Sequence, residues 1–280
     1  MQRLAPLVLA ACLSACATAP RVSEPVRQSY AAEDGAQLSY LAAGDGPTVV
    51  LFHGLTSSAR SNFFDTPIAQ ALTEAGFRVV AADLRGHGES ALANTAANWP
   101  PDVLARDAAA LVGSLDEPPV AVVGYSLGAL VALRLKASGG FDAPAMVLGG
   151  MGERTAVLGD RTRHDGLDAL LASVASGQPG ALQERVSAML ARSGSDADSV
   201  RGSLRNRMTV SEAELATMDM PVLVLSGADD FDNGDGRVLA AMMPDARFQS
   251  VPGDHLTAPQ RQPYADALRN WLLETTRQDG

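Results

Sequence analysis

The chain has 280 residues, 46% of them apolar, enough to bury one large mixed core or two small ones. Its 22 basic residues, of which only Lys136 is a lysine, stand against 32 acidic ones for a net charge of −10, which argues against nucleic acid as a partner. Its two cysteines, Cys12 and Cys16, both lie near the N-terminus, so the body of the chain has no disulfide to form.

In chain order, Arg3 precedes an apolar run from Leu4 to Leu13 that is too short to span a bilayer but suits the core of a secretory signal. The following "LSAC", Leu13 to Cys16, resembles the lipobox of bacterial lipoprotein signals. That resemblance implies that residues 1–15 are removed and Cys16 is acylated as the new N-terminus. The protein would then be exported and held at a membrane of the bacterial cell envelope. Ordinary cleavage at Ala15-Cys16-Ala17 is the alternative. Residues 16–28 carry proline and polar residues with little periodicity and read as a tether.

Short apolar runs then alternate with helical patterns, the order of a mainly parallel sheet covered by helices on both faces, an α/β fold. Val26–Ala32 and Gln37–Ala42 flank Glu33-Asp34-Gly35 and predict an antiparallel hairpin at one edge. Further strands are predicted at 48–52 ("TVVLF"), 78–82, 120–124, 145–150, 221–227 and 247–251. Helices are predicted over 62–75, 102–115, 127–137, 236–243 and 264–274, and the one after Ser126 has almost no polar face, so it must be buried. Between 151 and 219 no strand pattern occurs. Leu167, Leu170, Leu171 and Val174 recur at helical spacing, as do Leu182, Val186, Met189 and Leu190, and Ser211 with Glu214 makes a capping box. This predicts a helical cap over 151–219 inserted in a core of 29–150 and 220–280.

The chemistry concentrates at predicted strand ends. "GYSLG", 124 to 128, places Ser126 between a buried strand and a buried helix with glycine two residues to either side, the context of a nucleophile elbow. The Leu127 N–H at the helix start would point to where an oxyanion forms. A serine hydroxyl needs a general base, and the chain has four histidines: His53, His87, His164 and His255. Only His255, in "GDHL", follows the last strand, where a loop can bring an imidazole over the elbow. A carboxylate should hold that imidazole in the right tautomer, and Asp229, Asp230 and, more remotely, Glu153 are the candidates. The scattered histidines give no metal-ligand spacing, and the glycines at 44 and 46 lack the helix that a dinucleotide site requires, so neither metal nor cofactor is implied.

Taken together, "LFHGL" (51–55), "DLRGHGES" (83–90), "GYSLGA" (124–129), "LSGADD" (225–230) and "GDHL" (253–256) make residues 35–275 resemble the α/β-hydrolase superfamily. The resemblance implies that Asp230 is the acid of a Ser126–His255–Asp230 triad and that the Leu55 N–H is the second oxyanion donor beside Leu127. It makes His53 structural and gives Arg85, His87 and Ser90 a bracing role in the site floor. It further implies a serine hydrolase cleaving small-molecule or lipid-like carboxylic esters through an acyl-enzyme. Thioester or lactone hydrolysis and acyl transfer use the same groups, and a non-catalytic envelope binding protein is the remaining reading. Serine at the elbow argues against epoxide hydrolases and haloalkane dehalogenases, which carry aspartate there. Arg201 and Arg205, one helical turn apart in the cap, could meet an anionic substrate or be balanced by local acids.

Overall fold

The computed structural model of the chain describes residues 24–140, 144–159, 162–206 and 208–276, the side chains of 162–164 excepted. The signal segment, Cys16 and most of the tether lie outside the described residues. Eight strands form one sheet: β1 Val26–Ala31, β2 Gln37–Ala43, β3 Thr48–Phe52, β4 Arg78–Ala82, β5 Ala121–Tyr125, β6 Met146–Gly149, β7 Val222–Gly227 and β8 Ala246–Val251. Their order is β1-β2-β4-β3-β5-β6-β7-β8, with β2 antiparallel to both its neighbours and all other pairs parallel. Since β1 begins at Val26, the last three residues of the stretch read as tether, 26–28, belong to the sheet edge.

The parallel strands are buried on both faces, which is why β3, β5 and β6 read as continuous apolar runs rather than alternating ones. Alternate residues feed two cores. Val50, Phe52, Val80, Val122, Leu148 and Val224 face one core, Val49, Leu51, Val79, Val123, Val147 and Leu225 the other. The first core is covered by α2 (Val103–Gly113), α3 (Leu127–Ala137) and α9 (Gly236–Ala241), the second by α1 (Pro67–Glu74) and α10 (Gln262–Thr276).

The helix predicted over 62–75 is in fact two pieces. Arg60–Phe64 forms a π-type turn, closed by Asp65 N–H donating to the Arg60 carbonyl at 2.9 Å, and α1 starts afresh at Pro67 with Thr66 as its N-cap. Proline at the first helical position disfavours helical angles in the residue before it, so a continuous helix cannot pass through Thr66.

Between β6 and β7 the chain forms the helical insertion: α4 (Glu153–Ala156), α5 (Thr162–Ala175), α6 (Ala181–Arg192), α7 (Ala197–Arg205) and α8 (Glu212–Leu215). Ser211 caps α8 in the predicted box with Glu214. Leu171, Leu190, Ala197, Val200 and Leu204 bury a small cluster that holds α5, α6 and α7 together. Arg201 and Arg205 both reach Asp168, at 3.2 and 2.7 Å, so local acids balance this pair.

Candidate active site

Chain order reverses direction in the sheet between β3 and β5, and in open α/β sheets ligands collect outside the strand C-termini at such a point. The loops leaving β3, β5, β7 and β8 carry His53 to Leu55, Ser126, Asp230 and His255.

Ser126 has φ 52° and ψ −111°, a conformation costly for a residue with a side chain, and it presents the hydroxyl at the crest between β5 and α3. The turn closes only because of the flanking glycines. A Cβ on Gly124 would lie 2.1 Å from the Gly128 carbonyl oxygen, and one on Gly128 would lie 1.9 Å from that of Phe52. The Ser126 amide donates to Gly149 O at 2.8 Å, locking the elbow to β6.

The Ser126 hydroxyl lies 3.0 Å from His255 Nε2, and His255 Nδ1 lies 3.1 and 3.0 Å from the two Asp230 carboxylate oxygens. With Nδ1–H donating to the carboxylate, Nε2 is left as the acceptor of the serine proton, which is the tautomer a general base needs. Asp230 is buried and its Oδ1 also accepts from Asp232 N–H at 3.2 Å. Asp229 is exposed and its amide donates to Gly253 O at 3.0 Å, while Glu153 accepts from Asp235 N–H at 2.7 Å. Of the three candidate acids, Asp230 is the one that meets the imidazole.

The 53–55 loop passes beside Ser126, a Cβ on Gly54 falling 3.6 Å from that of the serine. His53 is fully buried and takes the Leu84 amide on Nε2 at 3.0 Å, so its proton sits on Nδ1 and donates to Gly54 O at 2.7 Å. Burial, with the adjacent His87 ring adding to it, pushes His53 down to about 3, so the ring stays neutral. Because a trans peptide points its carbonyl and its N–H in opposite directions, anchoring Gly54 O aims the Leu55 N–H the other way. Asn62, on the π-type turn, accepts Gly54 N–H at 2.9 Å, and His87 Nε2 lies 3.2 Å from Leu55 O.

Arg85 and Ser90 brace other parts of the fold than the site floor. Arg85 is buried between Asp107 on α2 and Asp34 at the hairpin turn, at 2.7 to 3.0 Å. Ser90 donates to Asp83 O at 2.5 Å and accepts from Ser39 N–H at 2.9 Å. His87 alone of the three touches the 53–55 loop.

Two cavities meet at Ser126 and Leu55. One, of about 320 Å³, is mostly apolar, with Leu127, Leu130, Met151, Val157, Leu204 and Met208 in its wall. The other, of about 450 Å³, is more polar and open, and His255, Thr56, Asn62, Asp232 and Gln260 line it. Asn233 borders both. Its amide donates to Gly150 O at 2.8 Å and its Oδ1 accepts from Thr155 Oγ1 at 2.9 Å, a role sequence reasoning missed because it joins residues 78 and 83 positions apart. Among the described residues no three His, Cys, Asp or Glu side chains are grouped to hold a metal ion.

An elbow serine at the C-terminal edge of a mostly parallel sheet, joined through an imidazole to a buried carboxylate, defines the α/β hydrolase class of protein. The chain belongs to the alpha/beta hydrolase family, whose model matches residues 49–267. Its structure is similar to a hydrolase from Pseudomonas aeruginosa PA01 (TM-score 0.69, 25% identity, 90% of this chain and 98% of that one). It is similar too to the esterase RhEst1 from Rhodococcus sp. ECU1013 (TM-score 0.65, 26% identity, 89% and 99%). Among curated proteins it is 32% identical over 97 residues to bifunctional epoxide hydrolase 2 of Sus scrofa and 34% identical over 103 residues to protein phosphatase methylesterase 1 of Mus musculus. These matches take in 35% of this chain and only 17% and 26% of the two relatives.

Proposed function

We propose that this hydrolase cleaves carboxylic esters through a covalent acyl-serine intermediate. The observation that carries the reading is the unbroken hydrogen-bonded chain from Asp230 through His255 to Ser126 at the crest of the elbow. Ser126 Oγ attacks the ester carbonyl while His255 Nε2 takes its proton, and Asp230 stabilises the imidazolium so formed. The carbonyl oxygen gains negative charge facing the N–H groups of Leu55 and Leu127. As the tetrahedral intermediate collapses, the bond to the alcohol oxygen breaks and His255 returns the proton to that oxygen. Water then repeats the sequence on the acyl-serine, releasing the acid.

The base must also reach the leaving oxygen, which assigns the two cavities. His255 lines the larger, polar one, so the alcohol lies there and the acyl group occupies the apolar one of about 320 Å³. The likeness to an esterase of known structure supports the same bond type. Thioesters and lactones present the same carbonyl and are variants of this reading.

A fluorophosphonate probe tests it: the protein should be labelled at Ser126, and Ser126→Ala should not be labelled. A folded protein that stays unlabelled would overturn the mechanism in favour of a binding role.

We further propose that Cys16 carries a lipid that holds the protein at a membrane of the bacterial envelope. Support comes from Arg3, the apolar run and "LSAC" alone. Incorporation of an alkyne-tagged fatty acid that Cys16→Ala abolishes is the expected result, and a protein that takes up no tag refutes it.

A further inference from the structure

His255 sits on an exposed loop: Asp254 and Leu256 on either side are exposed, Leu256 to 72%. A base on such a loop needs something to fix it, because a displacement of about 1 Å at a reacting group can cost about a hundredfold in rate. We infer that Tyr125, the residue before the nucleophile, is the positioning residue for His255. The inference rests on the hydrolase reading above.

Three contacts carry it. The Tyr125 hydroxyl donates to the backbone carbonyl of His255. Its ring lies against the imidazole, with centroids 5.4 Å apart and planes tilted by 33°. Tyr125 is itself immobilised as the last residue of β5, paired with Gly149 of β6 and packed edge-on against Tyr264 at 5.9 Å. Ser126, the next residue, meets Nε2 of the same histidine. One dipeptide therefore grips His255 at two points, its main-chain carbonyl and the tip of its ring, and both grips originate from the most central part of the sheet.

Gly150 completes the arrangement. It has φ 57°, and a Cβ there would come within 3.0 Å of both His255 Cε1 and Tyr125 Cζ, so the two rings share the space above a bare Cα. Burial raises the Tyr125 hydroxyl well above the usual phenol range, and the nearby aspartates add to this, so it stays protonated and able to donate.

Tyr125 touches no reacting atom. Its removal should therefore show in steps that depend on where the imidazole lies. In the full chain, Tyr125→Phe keeps the ring and its volume and deletes one oxygen. With p-nitrophenyl butyrate the variant should lose about 10- to 100-fold in kcat with KM changed less than twofold, and fluorophosphonate labelling should slow by a similar factor. Expulsion of a poor leaving group depends most on the proton from His255. Ethyl butyrate hydrolysis should accordingly fall further than p-nitrophenyl butyrate hydrolysis, a split that a merely structural role would not produce. Tyr30→Phe, a buried tyrosine on the edge strand β1 that takes no part in the site, is the control and should keep wild-type kcat. Equal rates for Tyr125→Phe and wild type on both esters would overturn this inference and leave the hydrolase reading standing. A wild-type protein that hydrolyses neither ester and takes no label would overturn both.

Discussion

The sheet ends and the helical insertion contribute to the same site but are held together differently. Ser126, His255 and Asp230 bond to one another, the Ser126 and Asp230 amides are tied to the Gly149 and Gly227 carbonyls, and Gly124 and Gly128 let main chain approach main chain. Within the insertion, α5 to α7 rest on one small apolar cluster and on ion pairs that are open to water, whereas Ala156, Met208, Val210 and Leu215 join the main core. The difference teaches that the triad residues sit where backbone is packed against backbone, and that of the apolar cavity wall Leu204 belongs to the smaller cluster while Met208 belongs to the main core.

Mutations should separate the two regions by size of effect. Ser126→Ala is expected to remove activity by a factor of about 10⁶ in kcat, and an unaffected variant would end the distinction altogether. Asp230→Asn should cost about 10⁴ in kcat, because the amide no longer enforces the Nδ1–H tautomer, whereas Asp229→Asn should cost nothing measurable. In the insertion, Leu190→Ala should destabilise by about 2–5 kcal/mol, seen in urea unfolding, and raise KM while sparing kcat for a small ester. If kcat fell instead, the insertion would be acting on the chemistry. Asp168→Ala should be the mildest, less than about 1 kcal/mol, since its pairs with Arg201 and Arg205 are solvent-screened.

Acid sharpens the comparison from the sheet side. His53 is held at about 3 when folded against an ordinary 6.5, so between these values the unfolded chain binds a proton that the native one refuses. The stability present above pH 6.5 should thus be lost as pH falls towards 3, by up to about 1.4 kcal/mol per unit from this residue, and burial of His87 acts in the same direction. Urea midpoints across that range should show a shallower slope for His53→Gln than for wild type.

How much of this was legible beforehand depended on whether the signal was local. Strands buried on both faces announce themselves as unbroken apolar runs, and Ser126 is framed by its own neighbours, so the sheet, the elbow and the place of His255 were all visible. Asp229 and Asp230 look alike in sequence, and what separates them is the turn after β7, which sends one outward and one under the imidazole. The bounds of α7 had no such signal, because on its buried side only Val200 and Leu204 are large and Ala197, Ser199 and Ser203 are too small to make a stripe. Tyr125 was in plain view within the motif, but the carbonyl it binds lies 130 residues away.

The placement of Ser126 at the junction of two cavities also sets a traffic order for the proposed reaction. The alcohol departs through the open, polar side while the acyl group stays covalently parked on the other, and water can enter along the route just vacated. The first half of the cycle then needs no opening of the insertion.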